Sequence, residues 1–349
     1  MKDEVNIYQI AREADVSPAT VSRVMTGSAR VSDEKKRRVQ EIIRKYDYRP
    51  NALAQGLTTT RTRNVGIVAA DIENPYYTRI ITRISRELEA EGYNAVIYDA
   101  MNRYDLEVKC LQRMVDTRAD ALILMGGKSD EQQTDPDYAD LINRISDNIP
   151  IVTTGKVDGA RVYQVCIDEM SGVDLAMEHL FSRGHRHIAL IGGHGSVRST
   201  FEKRTRYRSV LKARGITYRE RYIMDSDYDI AGGYKCMNEL FHSNIGRTMP
   251  TAVMAINDFS AVGVEHAIRE RGLRIPEDIA VLSFDNTFIA ESIMPRLTAV
   301  GYAYDDFGQK LAATAVALAG DTEVPAYQLI PSKLFVREST VGEKEMLTL

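Results

Sequence analysis

Between Asn6 and Val24 the chain spells two short helices with a break of only a few residues between them. Asn6 is a good helix N-cap, and Gln9 follows at the spacing of a capping box. Ile7, Ile10, Ala11 and Ala14 recur at i, i+3, i+4 and i+7, one apolar stripe. Asp15-Val16 ends that helix. Ser17 caps the next, and Pro18 stands at its first position, where a missing N–H is harmless. Val21 and Val24 face the first helix, which leaves Pro18, Ala19, Ser22 and Arg23 outside. Such a pair fits a DNA major groove, with the first residues of the second helix at the base edges. Arginine bonds guanine bidentately, so Arg23 suits guanine, and Pro18 and Ala19 suit thymine methyls. Thr20 and Ser22 are better placed for phosphates, which fix register. With Ser17 at the entrance, the expected DNA-facing set is Ser17, Pro18, Ala19, Thr20, Ser22 and Arg23. The competing reading of this segment alone is an ordinary helical hairpin.

A third helix follows, capped by Ser32, with Val39, Ile42, Ile43 and Tyr46 as its stripe and Lys35, Lys36, Arg37, Arg38, Arg44 and Lys45 elsewhere on its surface. A charge run is usually a solvated face. Here it adds to a basic head: residues 1–63 carry 13 Lys and Arg against 8 Asp and Glu, a net +5, while the whole chain is −4, so the remainder is −9. A basic head on an acidic body suits phosphate binding by the head alone.

At 349 residues and 44% apolar, the chain has material for more than one core. Met1-Lys2-Asp3-Glu4 opens no hydrophobic leader, and no apolar run reaches the ~18 residues of a membrane helix. A cytoplasmic protein without membrane contact is expected. Cys110, Cys166 and Cys236 are odd in number and far apart, as reduced thiols are.

Tyr48 to Leu57 leads into the aperiodic Thr58-Thr59-Thr60-Arg61-Thr62-Arg63. Asn51 to Leu57 allows about two helical turns, marginal alone in water, and Gly56 weakens them. Read from its residues, the segment is either a hinge helix whose leucine wedges into the minor groove or a linker with two buried leucines, Leu53 and Leu57.

The remainder alternates strand and helix. Strands are expected at Val65–Ala69, Ala95–Tyr98 and Ala121–Met125, with helices over Tyr77–Glu91 and Leu106–Val115. The pattern restarts after about Arg161, with strands at Val162–Ile167, Ile188–Ile191, Ala252–Ile256 and Ile279–Ser283. This implies two α/β lobes with parallel sheets and a cleft between them. Ligands of such sheets sit beyond the carboxyl ends of the strands. The pocket candidates are therefore Asp71, Asn74, Pro75, Tyr76 and Tyr77; Gly192 to Ser196; Asn257 and Asp258; and Phe284, Asp285 and Asn286. Carboxylates, amides and aromatic rings suit a polyhydroxylated ligand. The plainer alternative is that Asp and Asn after a strand cap the next helix, as expected of Asp258.

By now the residues resemble the lactose/galactose repressor family of bacterial transcription regulators. The resemblance rests on SPATVSRV, YDYRPNALAQGL, NVGIVAADIENPYY, RGHRHIALIGG, PTAVMAINDFSAVG, RGLRIPEDIAVLSFDN and LFVREST, and spans about residues 5 to 340. It implies that Pro18, Ala19 and Arg23 read bases, that Leu57 is the minor-groove wedge with Asn51 and Ala52 at the start of the same DNA-binding helix, and that Asp71, Asn257 and Asp285 bind an effector, with Tyr76 or Phe284 stacking on a ring. Gly56 stands where the family usually has Ser or Ala. The stretch Arg198 to Tyr207 also departs from the family: aligned on Tyr207, Lys203 falls at the ligand-binding arginine and Arg206 at a glycine, while a shift of one residue makes Arg204 the binder. If that basic patch faces the cleft, an acidic or phosphorylated effector is implied.

Several motifs lead nowhere. Gly126-Gly127-Lys128-Ser129 ends like a phosphate-binding loop but has Leu122 where the earlier glycine belongs. Gly192-Gly193-His194-Gly195 lacks dinucleotide spacing, and His185 and His187 have no further ligand nearby. No catalytic residues, metal site or cofactor are expected. The expected organisation is α/β: residues 1–49 a three-helix helix-turn-helix DNA-binding domain, 50–63 hinge helix and linker, 64–340 a two-lobed body resembling a periplasmic binding protein, and 341–349 a tail. Lobe one is expected at about 64–160 and 302–325, lobe two at about 161–301 and 326–340. The expected partners are double-stranded operator DNA, a sugar-like or sugar-phosphate effector, and a second copy in a homodimer.

Overall fold

The computed structural model describes residues 5–25, 31–46, 48 and 61–342. The chain divides into two units, Met1–Thr62 and Arg63–Leu349, each with its own core.

The first unit holds α1 (Ile7–Glu13), α2 (Pro18–Met25) and α3 (Asp33–Lys45). The Asn6 side chain accepts from the Gln9 N–H at 3.0 Å, and the Ser17 hydroxyl from the Thr20 N–H at 3.2 Å, so both expected caps are made. Ser32 occupies the cap of α3 without a side-chain bond, and Asp33 and Glu34 meet the positive helix end instead. Asp15 turns the chain between α1 and α2 at φ 53°, a left-handed conformation that aspartate tolerates. Ile10, Ala11, Ala14, Val21, Val24 and Val39 form the core. Glu13 ties α1 to α3 by accepting from Tyr46 Oη at 2.6 Å and Lys45 Nζ at 3.0 Å, and these bonds, the Tyr46 one first, hold its carboxyl below its ordinary pKa.

The second unit runs β1 (Asn64–Ala69), α4 (Pro75–Ala90), β2 (Asn94–Asp99), α5 (Tyr104–Asp116), β3 (Ala121–Met125), α6 (Pro136–Ser146), β4 (Ile151–Thr153), β5 (Tyr163–Ile167), α7 (Glu169–Ser182), β6 (Ile188–Ile191), α8 (Arg198–Ala213), β7 (Ile223–Met224), α9 (Ile230–Ser243), β8 (Ala252–Ala255), α10 (Asp258–Glu270), β9 (Ala280–Asp285), α11 (Phe288–Ser292), β10 (Thr298–Tyr302), α12 (Tyr304–Ala319), β11 (Tyr327–Ile330), β12 (Ser332–Phe335) and α13 (Glu338–Val341). Among the described residues these strands make two six-stranded sheets, ordered β11-β5-β4-β3-β1-β2 and β12-β10-β9-β8-β6-β7. The first is parallel throughout; the second is parallel except where β12 runs against β10. Continuous apolar strands such as β3 and β8 are buried on both faces, as a helix-covered parallel sheet requires.

The lobe boundaries differ from those expected. β5 and β11 belong to the first sheet, so residues 161–167 and 326–330 are part of lobe one, and the chain crosses between lobes near Asp168, Ala303 and Pro331. The expectation failed because parallel neighbours are normally joined through a helix. Between Thr153 and Tyr163 the chain instead links β4 to β5 by a loop. That loop looks like a domain junction in the sequence.

Close helix packing in lobe two depends on two glycines. A Cβ at Gly233 of α9 would lie 2.1 Å from the Ser260 carbonyl oxygen, and one at Gly263 of α10 would lie 2.0 Å from that of Ile230. No helix among the described residues is long and apolar enough to cross a membrane, and Cys110, Cys166 and Cys236 are free thiols.

Candidate functional site

In the first unit, α2 buries Val21 and Val24 and exposes Ala19 and Arg23, with Ser17 exposed ahead of it and Pro18, Thr20 and Ser22 half-buried. The Ser17 and Thr20 hydroxyls lie 2.9 Å apart and bond each other across the first turn. Asn51, Ala52 and Leu57 lie outside the described residues.

In the second unit a cavity of about 910 Å³ lies between the lobes, beyond the carboxyl ends of both sheets. Of the residues expected there, Asp71, Asn74, Tyr76, Tyr77, Lys203, Asn257 and Asp285 line it. Asp71 follows β1 and accepts from the Glu73 N–H at 2.9 Å. Asn74 caps α4 and Asn257 caps α10, and the Asn257 amide also donates to the Tyr228 carbonyl at 2.8 Å, so each is cap and lining at once. Tyr76 meets Tyr77, Tyr302 and Tyr304 edge-on with centroids 4.9, 6.0 and 6.2 Å away. Burial raises the Tyr76 phenol well above its ordinary pKa. Asp285 and Asn286 have φ of 90° and 56°, left-handed at two successive non-glycine residues. Burial, with Asp258 and Glu169 adding to it, raises the Asp285 carboxyl well above its ordinary pKa.

Two expected effector residues do not line the cavity. Phe284 is buried in the core of lobe two, because strand alternation turns it away while Asp285 follows at the strand end. Its ring lies under the Lys203 ammonium, 5.2 Å from the centroid. Arg204 is buried and pairs with Asp225 at 2.6 Å, donating also to the carbonyls of Gly192 and Gly193 at 3.1 and 3.0 Å. It pins the loop after β6. Arg206, on another face of α8, grips Asp174 with two bonds of 2.7 Å outside the cleft. Helical rotation thus sends three neighbouring cations to three places, and only Lys203 points inward.

Sequence reasoning missed much of the lining, including Asp130, Glu169, Arg198, Glu202, Tyr228 and Tyr302. Two carried a usable signal, since Glu169 follows β5 and Tyr302 ends β10. Each lysine and arginine of the lining is paired with a carboxylate: Lys203 with Glu169 at 2.5 Å, Lys128 with Glu131 at 2.8 Å, Arg103 with Asp105 at 2.9 Å, and Lys156 and Arg198 with Asp158 at 2.6 and 3.2 Å. Lys156 and Arg198 share Asp158, and each cation of the lining thus has a carboxylate partner.

The lobes also touch across the cavity mouth. The Gln132 N–H donates to the Ser196 carbonyl at 2.7 Å, Arg198 returns a bond to the Gln132 carbonyl at 3.1 Å, and Ser199 Oγ donates to Asp130 at 2.8 Å. On lobe one, Arg79 donates to the Asn286 carbonyl of lobe two at 2.9 Å and lies over the Tyr304 ring at 4.4 Å. Burial raises Asp130 to about 7 against the bond from Ser199. A carboxyl with a folded pKa above its unfolded value near 3.8 gives stability that is fully present below 3.8 and lost as pH rises through about 7. Glu265, raised by burial to about 8, acts in the same direction. The thermal midpoint of the unliganded protein is expected to fall between about pH 5 and about pH 8, and Asp130→Asn, which keeps an acceptor for Ser199, to flatten that fall. A midpoint profile of equal slope in the variant would refute the assignment.

A reading helix on a basic unit, followed by two α/β lobes around a polar cavity, defines a DNA-binding regulator with a ligand-binding body. The pattern of bacterial regulatory proteins of the lacI family matches residues 6–51, and that of the periplasmic binding protein-like domain matches residues 177–340. Catabolite control protein A of Staphylococcus epidermidis is 31% identical over 306 residues, 87% of this chain and 89% of that protein. The Lac repressor dimer bound to operator and the anti-inducer ONPF superposes with a TM-score of 0.87 at 24% identity, covering 97% of this chain and all of that one. The regulator CelR in complex with cellobiose gives 0.70 at 27% identity, over 96% and 99%. The chain belongs to the lacI family of bacterial transcription regulators.

Proposed function

We propose that the chain is a cytoplasmic, homodimeric repressor that binds a near-palindromic operator and releases or tightens it when a sugar or sugar derivative occupies the cleft between the lobes. Each head takes half of the operator, as dimer symmetry demands. Ser17, Pro18, Ala19, Thr20, Ser22 and Arg23, followed by Asn51, Ala52 and Leu57, form the DNA-contacting set. Asp71, Asn74, Tyr76, Tyr77, Lys203, Asn257 and Asp285 form the effector set. The observation that carries this reading is the cavity lined by both lobes, next to the bonds that join them. A ligand there touches both lobes and so differs in affinity between their two arrangements, the condition for shifting an equilibrium. The related CelR in complex with cellobiose supports the sugar class. The protein binds its ligand without turning it over.

Operator sites selected from a random duplex library with the full chain, followed by titration with and without each ligand of a sugar panel, test the reading. A ligand of the cleft is expected to change operator affinity by about 5- to 150-fold and to be recovered intact. A ligand that fills the cleft and leaves operator affinity unchanged overturns it.

A further inference from the structure

Four acidic side chains of the lining, Asp130, Glu169, Glu202 and Asp285, gather around one ammonium, that of Lys203. Glu202 makes no hydrogen bond or ion pair among the described residues, and Asp285 only a 3.5 Å bond from Tyr302 Oη on one oxygen. Asp130 has only the bond from Ser199. Glu169 is an electrostatic neighbour of all three and is already paired with Lys203. Every lysine and arginine of the lining already has a carboxylate partner, and burial raises Asp130, Glu202 and Asp285 above their ordinary pKa, so these carboxyls hold their protons in the empty cavity and a bound cation would ionise them. The Tyr76 and Tyr302 rings stand beside these carboxylates, and aromatic faces attract cations.

We propose that the effector carries a positive charge: a small polyhydroxylated molecule with a primary ammonium group, an amino sugar or a close relative. The ammonium sits among Glu202, Asp285 and Asp130, and the hydroxyls reach Asp71 and Asn257. A phosphorylated or acidic sugar would bring an anion to acidic groups whose ionisation burial and mutual repulsion already oppose, with the lining's cations taken up by carboxylates. This inference rests on the cleft being the effector site, and it narrows the sugar class to its cationic members.

Calorimetric titration of the full chain tests it with matched probes: glucosamine, galactosamine and mannosamine, each against its N-acetyl form, its parent neutral sugar and the parent 6-phosphate. At least one amine is expected to bind roughly tenfold or more tighter than all its uncharged and anionic counterparts, a difference of about 1.4 kcal/mol. Glu202→Gln with Asp285→Asn is expected to remove that preference. A neutral or phosphorylated sugar that binds as tightly as its amine overturns the inference. If no probe binds, the unliganded variants decide. At pH 8, Glu202→Gln and Asp285→Asn each raise the thermal midpoint if these carboxyls await a cation, because the empty site must otherwise ionise them against burial or hold their protons. An unchanged or lowered midpoint in both overturns it. A neutral ligand that moves operator affinity would sink the charge assignment and leave regulation standing. An amine that binds the cleft without moving operator affinity would do the reverse.

Discussion

Arg23→Ala is expected to weaken operator binding by about 10- to 100-fold and to relax sequence preference at one position of each half-site, the loss of a bidentate guanine contact worth about 1–3 kcal/mol. Arg23 lies on the exposed face of α2, outside the core of Ile10, Ala11, Ala14, Val21, Val24 and Val39. Fluorescence anisotropy with the selected operator and its single-base variants, at fixed salt, checks it. Ser22→Ala serves as the comparison, because a phosphate contact weakens all sequences alike. Uniform weakening by Arg23→Ala across every base variant, with a shallower salt dependence, would place the guanidinium on a phosphate and overturn the base-reading role.

Asp258→Ala is expected to cost about 3 kcal/mol, a fall of roughly 6–12 °C in the thermal midpoint of the body. Asp258 is buried and accepts from Ser283 Oγ at 2.6 Å, the Thr287 N–H at 2.6 Å and Thr287 Oγ1 at 2.7 Å. Removing it strands three buried donors. Burial raises its carboxyl above the ordinary pKa although these three bonds oppose the shift. The same residue steadies the left-handed pair Asp285 and Asn286 from one side, while Arg337 holds Asn286 from the other at 2.7 Å. Strained backbone persists only where its surroundings over-determine it, so the variant should also lose ligand affinity at Asp285. Scanning calorimetry reads the first effect; a midpoint within about 1 °C of wild type would show that water replaces the lost acceptor.

Expectation and structure agree most closely where the chemistry is local. The caps at Asn6 and Ser17, the stripe through Ile10 and Ala14, and strands as apolar as Ala121–Met125 depend on neighbours along the chain. Asp71 and Asp285 were legible as cavity lining because the clefts of such sheets open where parallel strands end. The strand ends themselves are short-range features. The lobe boundary near residue 161 was not legible. Nothing local distinguishes a loop that returns to the same sheet from one that leaves it, and the short strands β4, β7 and β11 give too few residues for a period.

The basic run in α8 shows most plainly what each level decides. The sequence by itself determined that Lys203, Arg204 and Arg206 lie close together on one helix, and it determined the reading head, the two α/β halves and the strand ends that face the cavity. Only the tertiary structure decided where those cations go: Lys203 to Glu169 in the cavity, Arg204 to Asp225 and the loop carbonyls, Arg206 to Asp174 outside. Their carboxylate partners lie far off in the chain, and a helix turns each successive side chain by about 100°. Which cations reach the cavity, and which carboxylates meet them there, is therefore set in three dimensions, and a count of charges along the sequence does not contain it.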